Sequence, residues 1–196
     1  MADDPNTRER ILRTASGLFQ RQGYHATGLN QVLAEGKAPK GSLYFHFPRG
    51  KEQLAAEAVA TGGRTIADDL RGTPPGTRPL ASLVSFVERL GAELAATGFR
   101  AGSPIATVAL DVASDSEPIR VACVGAYRSW SDALTARFAE WGVPAERRQT
   151  LATVVIAAVE GALLLARVRQ DLTPLHEVAE RLGDLVAGES RPVTGP

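Results

Sequence analysis

The chain has 196 residues, 22 Lys or Arg against 22 Asp or Glu, and 44% apolar residues of which few are aromatic. That length can bury a sizeable core, and an apolar content led by Ala, Leu and Val suits helix and excludes a disordered chain. The lone Cys123 excludes an internal disulfide and a thiolate metal site, no uncharged apolar run reaches the roughly 18 residues of a membrane span, and the acidic start Met1 to Pro5 is unlike a signal peptide, so the chain reads as cytoplasmic with no membrane partner.

The zero net charge averages two unequal parts. Residues 1–53 hold eight basic side chains (Arg8, Arg10, Arg13, Arg21, Lys37, Lys40, Arg49 and Lys51) against five acidic ones, and residues 54–196 hold 14 against 17. The basic front is a modest footprint that permits a phosphate-bearing partner without requiring one.

In chain order, Ile11, Ala15, Leu18 and Phe19 recur at helical spacing and predict a first helix from Thr7 to Gln22, with Asn6 and Glu9 as a capping box and Gly23 as its stop. Thr27 is placed to cap a short second helix carrying Leu29, Val32 and Leu33 and ended by Gly36. Pro39 suits the first turn of a third helix reaching Phe45, before Pro48 and Gly50 break the chain. A helix from Lys51 to Leu70 follows, in which Gly62-Gly63 costs roughly 2 kcal/mol against two alanines and marks a candidate bend.

The Arg71 to Arg78 stretch, rich in Gly and Pro, is a loop. Further helices are expected over Pro79–Thr97, Ile105–Ala113 and Glu117–Trp141, the last capped by Ser116 and stopped by Gly142. Leu151 to Val168 is apolar nearly all round, a pattern that needs neighbours on every flank and suggests a second subunit. Thr173 and Pro174 open a final helix striped by Leu175, Val178, Ala179, Leu182, Leu185 and Val186, and the two last helices could pair with their symmetry mates as a four-helix bundle.

Two short helices joined through Gly36 have the layout of a helix-turn-helix, whose second helix enters the DNA major groove by its N-terminal end. Lys40, Gly41 and Ser42 stand on the leading turn of that helix, where Lys donates to guanine, Ser serves either groove-edge partner and Gly allows close backbone approach. The residues Ile11-Leu12-x-x-Ala15-x-x-Leu18-Phe19-x-x-x-Gly23-Tyr24-x-x-Thr27, then Ala38-Pro39-Lys40-Gly41-Ser42-Leu43-Tyr44-Phe45-His46-Phe47 and Lys51-Glu52-x-Leu54, resemble the DNA-binding domain of tetracycline-repressor-family regulators. The Ala-Pro-Lys-Gly-Ser-Leu-Tyr piece is most similar to the family's multidrug- and antibiotic-responsive branch.

The resemblance implies an all-α protein of about nine helices: a three-helix helix-turn-helix domain at 1–53, a larger helical ligand-binding and dimerisation domain at 54–188, and a disordered tail at 189–196. It also implies phosphate contacts from Thr27, Tyr44, His46 and Lys51. Gly28 stands among these where many family members carry a second hydroxyl residue, and Pro48-Arg49-Gly50-Lys51 is one residue longer than the family's turn. Leu43, Phe45 and Phe47 read as core of the module, and Tyr44 as either core or contact.

Its partners would be a palindromic double-stranded operator, a small-molecule inducer and a second copy joined through about 144–187, with no cofactor or metal. The candidate ligand lining is Phe86, Leu90, Phe99, Leu110, Tyr127, Trp130, Leu134 and Phe138. Thr107, Asp111 and Arg128 could orient a polar group, and the paucity of charge suggests an apolar or aromatic ligand. A helical enzyme competes poorly, because His25, His46 and His176 are scattered and no Gly-rich phosphate loop follows a strand. A dimeric ligand-binding or scaffold protein without operator binding stays open at this point.

Overall fold

Each apolar stripe becomes a helix in the computed structural model, which describes residues 6–74 and 76–190. The described residues form nine helices and no strand: α1 Asn6–Ala26, α2 Leu29–Glu35, α3 Ser42–His46, α4 Gly50–Arg71, α5 Pro79–Ala96, α6 Ala106–Val112, α7 Glu117–Glu140, α8 Ala145–Arg169 and α9 Thr173–Glu189. The expected cap from the Asn6 side chain and most of the expected tail, 191–196, lie outside the described residues. Residue 189 of that tail is still helical.

Four local expectations are revised. Gly23 does not stop α1; with φ 81° and ψ 177° it kinks the chain, which resumes helix to Ala26. The residue at the N-cap of α2 is Gly28 rather than Thr27, because the Thr27 hydroxyl donates backwards to the Gly23 carbonyl at 2.6 Å. The stretch from Pro39 to Gly41 is a turn, closed by the Ser42 N–H on the Pro39 carbonyl at 3.0 Å, so α3 is only five residues and Lys40 and Gly41 precede it. Gly62-Gly63 does not break α4: a β-carbon on Gly62 would stand 2.9 Å from Pro104 Cβ, and one on Gly63 2.5 Å from Ala126 Cβ. The pair is there for close approach.

Packing divides the chain into two compact units. One runs to Arg64 and takes in Arg100–Tyr127; the other holds Thr65–Phe99 and the chain from Arg128 onward. The first is built on Ile11, Leu18, Phe19, Val32, Leu43, Phe47 and Leu54, all essentially inaccessible to solvent. Each such side chain contributes about 1.5–3 kcal/mol through burial. That core holds α3 although five residues cannot sustain a helix alone.

In the second unit α9 packs along α5 and α8. Gly183 makes the α9–α5 contact possible, since a β-carbon there would lie 2.9 Å from Leu80 Cα. Buried Arg137 donates to the Pro74 carbonyl at 3.2 Å and Trp141 Nε1 to the Thr77 carbonyl at 2.8 Å, which pins the loop between α4 and α5. α8 is long and apolar enough to cross a membrane by length and composition, with mean hydropathy 2.0 over its most apolar stretch. Its Leu151, Val155, Val159, Ala162 and Ala166 are buried inside the unit, while Val154, Leu164, Leu165 and Val168 face out.

Candidate nucleic-acid interface

Leu43 and Phe47 stand four residues apart and are both buried, so the helical turn between them points the other way. Tyr44 is 64% exposed and Phe45 72%. Phe45 is therefore not the core residue expected, and its signal was in the sequence: with positions 43 and 47 inward, 45 has to face out. Lys40 and Gly41 are exposed just ahead of it. Ser42 turns its hydroxyl onto the Pro39 carbonyl at 2.7 Å, which shapes that turn. His46 is half-buried, edge-on to Phe45 at 5.0 Å and to Phe47 at 6.5 Å.

At Gly41 φ is −78°, ordinary for any residue, and an added β-carbon would meet nothing within 4 Å. The protein itself places no demand for glycine here, and the same is true at exposed Gly28, where φ is −87°. Small size at these surface points leaves room for something outside the chain.

Thr27 is only 1% exposed and its hydroxyl is taken up by Gly23, so it shapes the corner between α1 and α2 instead of facing outward. Lys51, at the start of α4, lies over the Tyr24 ring with its ammonium 4.5 Å from the centroid and 3.4 Å from the His25 carbonyl. Partial burial lowers the Lys51 pKa below the usual lysine value. Burial, then the Glu52 carboxylate, raises that of the Tyr24 phenol. Glu52 in turn accepts from the Ser116 hydroxyl at 2.7 Å. Tyr24 and Glu52 stand in the family motif and Ser116 was expected as a helix cap, but none of these contacts was legible in the sequence, because the partners are distant along the chain.

Two of the basic front residues tie the unit together: Arg8 pairs with Glu57 and covers the Phe47 ring at 5.1 Å, and Arg21 lies 3.7 Å from Glu35. Arg13, Lys37, Lys40 and Arg49 are exposed. Lys37, Lys40 and Arg49, the Tyr44 phenol, the Phe45 ring and the positive end of α4 fall on one short stretch of chain, a composition that suits the edge of a nucleic-acid duplex.

The candidate ligand contacts fall in both units. In the second, Phe86 and Leu90 on α5 and Trp130, Leu134 and Phe138 on α7 are buried, and Phe99 is half-buried at φ 59°. Exposed Arg128 also belongs there. In the first, Tyr127 is half-buried, Thr107 donates to the Ser103 carbonyl at 3.1 Å, and Leu110 is 86% exposed on the outside of α6. The Asp111 carboxylate is engaged by the Tyr24 N–H at 2.8 Å.

Residues 11–58 match the family description "Bacterial regulatory proteins, tetR family", and residues 79–181 match "Transcriptional regulator LmrA/YxaF-like, C-terminal domain". The chain is 37% identical to the helix-turn-helix-type transcriptional regulator YxaF of Bacillus subtilis over 95% of its own length and 98% of that protein's. Identity to the regulator LmrA of the same organism is 38%, covering 92% and 97%. A crystal structure of the regulatory protein TetR from Rhodobacter sphaeroides superposes with a TM-score of 0.81 over 91% of this chain and 98% of that one, at 23% identity, a likeness of fold.

Proposed function

Because the chain belongs to the tetracycline-repressor family of DNA-binding transcription regulators, with an LmrA/YxaF-like C-terminal domain, and is not an enzyme, we propose that it is a cytoplasmic, homodimeric repressor released from its operator by a small apolar or aromatic molecule. In this reading residues 1–53 grip DNA and 54–188 hold the ligand and the second copy. Lys40, Gly41 and Ser42 read base edges, while Tyr44, His46 and Lys51 hold the phosphate backbone.

The observation that carries the reading is the outward face of α3 and its lead turn, where Lys40, Gly41, Tyr44 and Phe45 are exposed over a buried Leu43 and Phe47. Pairing of two copies is supported by the outward apolar residues of α8, with Leu164 59% and Val168 73% exposed, and by Leu185 on α9. Two paired copies would hold their recognition helices one DNA turn apart, roughly 34–36 Å, on a pseudo-palindrome. Ligand binding that spoils this spacing releases DNA, with a coupling of about 1–3 kcal/mol. The buried apolar residues Phe86, Leu90, Trp130 and Leu134 favour an apolar ligand.

The test is retention of sheared DNA from the source genome on the purified protein, followed by sequencing, repeated with Lys40→Ala and Tyr44→Ala. A few enriched fragments sharing a palindrome, lost in the variants, are expected. Uniform or absent retention at low salt would overturn operator binding.

A further inference from the structure

The kink at Gly23 leaves the α1 backbone with two groups that an unbroken helix would pair with each other, the Tyr24 N–H and the Gln20 carbonyl. Both are satisfied from one distant segment. The Gly102 N–H donates to the Gln20 carbonyl at 3.0 Å, and the Tyr24 N–H donates to Asp111 Oδ2 at 2.8 Å. The fit around that carboxylate is close: a β-carbon on Gly23 would stand 2.3 Å from the same oxygen. The Asp111 carbonyl lies 3.1 Å from His25 Nε2, so one residue on the last turn of α6 engages two consecutive residues of α1.

What those α1 residues do gives the contact its meaning. The Tyr24 ring is the platform under the Lys51 ammonium, at 4.5 Å, and the His25 carbonyl lies within 3.4 Å of the same ammonium. Five residues beyond Asp111, buried Ser116 donates to Glu52, the neighbour of Lys51, at 2.7 Å. The corner between α6 and α7 thus fastens the seat of Lys51 from both sides.

We propose that Asp111 is a positioning residue for operator binding: it touches no DNA, but by holding the Tyr24 amide it fixes the platform from which Lys51 reaches a phosphate. The inference rests on the operator-binding reading. A carboxylate is the suitable group, because it accepts from a backbone N–H more strongly than a neutral oxygen and is short enough to lie against Gly23.

The experiment is a double-mutant cycle on affinity for an operator duplex recovered by genomic retention. Asp111→Ala should weaken binding about tenfold in the native background, the affinity equivalent of one charge-assisted hydrogen bond, and have little effect when Lys51→Ala is already present. Asp111→Asn, which keeps an acceptor at the same distance, should restore most of the affinity. Should the alanine variant fail to fold, Asp111→Glu, too long to lie under Gly23, gives the same cycle. Losses that add independently in the two backgrounds, or native affinity in Asp111→Ala, overturn the inference alone. Failure of the unsubstituted protein to retain any duplex overturns the operator-binding reading and this inference with it.

Discussion

Gly63 of α4 lies against Ala126 of α7 so closely that a β-carbon on the glycine would stand 2.5 Å from Ala126 Cβ and 3.0 Å from its Cα. Helix propensity alone makes Gly→Ala favourable by about 1 kcal/mol inside a helix. Here the neighbouring atoms are the Ala126 Cβ and the backbone Cα that carries it, neither of which can swing aside. Gly63→Ala should therefore lower stability by about 1–3 kcal/mol, read from the urea midpoint with an unchanged slope. A stabilised Gly63→Ala would show that the two helices are free to part.

Gly41→Ala tests the opposite case. Its backbone is ordinary and its surroundings are empty, so the folded protein should keep its melting temperature or gain slightly. Operator affinity should fall, because the added methyl occupies space that the duplex backbone or a base edge would use. Equal affinity of the two proteins in a gel-shift titration would remove Gly41 from the interface.

Phe45, at 72% exposure, contributes little to the core, and Phe45→Ala should change stability by no more than about 0.5 kcal/mol. An exposed ring beside the reading turn is suited to the C5 methyl of thymine. Replacing operator thymines one at a time by uracil deletes that methyl. At one position the replacement should weaken binding of the native protein and leave Phe45→Ala indifferent. Equal effects on both proteins at every thymine would exclude methyl contact by this ring.

Leu164→Glu on α8 places a charge where the side chain is already 59% exposed in the single chain. The fold should survive, with native helical content by circular dichroism. The proposed dimer should not, since a charge would enter, unpaired, the apolar face through which the copies are proposed to pair. Sedimentation of the variant at the native dimer mass would place the contact between copies elsewhere.

Burial raises the Cys123 thiol pKa above its ordinary value, so at neutral pH its thiolate fraction is smaller than that of a free cysteine. Reaction with a disulfide reagent should be slow in the native protein and speed up both on unfolding and as pH rises. Labelling of the native protein at the rate of free cysteine would mean that α7 opens readily.

Most helices were legible in the sequence, because a 3.6-residue apolar period is a local signal that burial simply uses: Ile11, Ala15, Leu18 and Phe19 read as one face and are buried as one face. The family motif was equally local, running without interruption from Ala38 to Phe47, and from residue types alone it nominated Lys40 to Ser42 as the turn proposed to read DNA. The tertiary structure decided what depends on atoms far apart in the chain. Gly62-Gly63 looks like a bend until Pro104 and Ala126 are seen against it. Asp111 looks like a ligand-orienting acid until the Tyr24 amide is found on its carboxylate. A periodic pattern records which face of an element is buried; which partner lies against that face is set by chain segments some 40 to 90 residues away, and only packing brings them together.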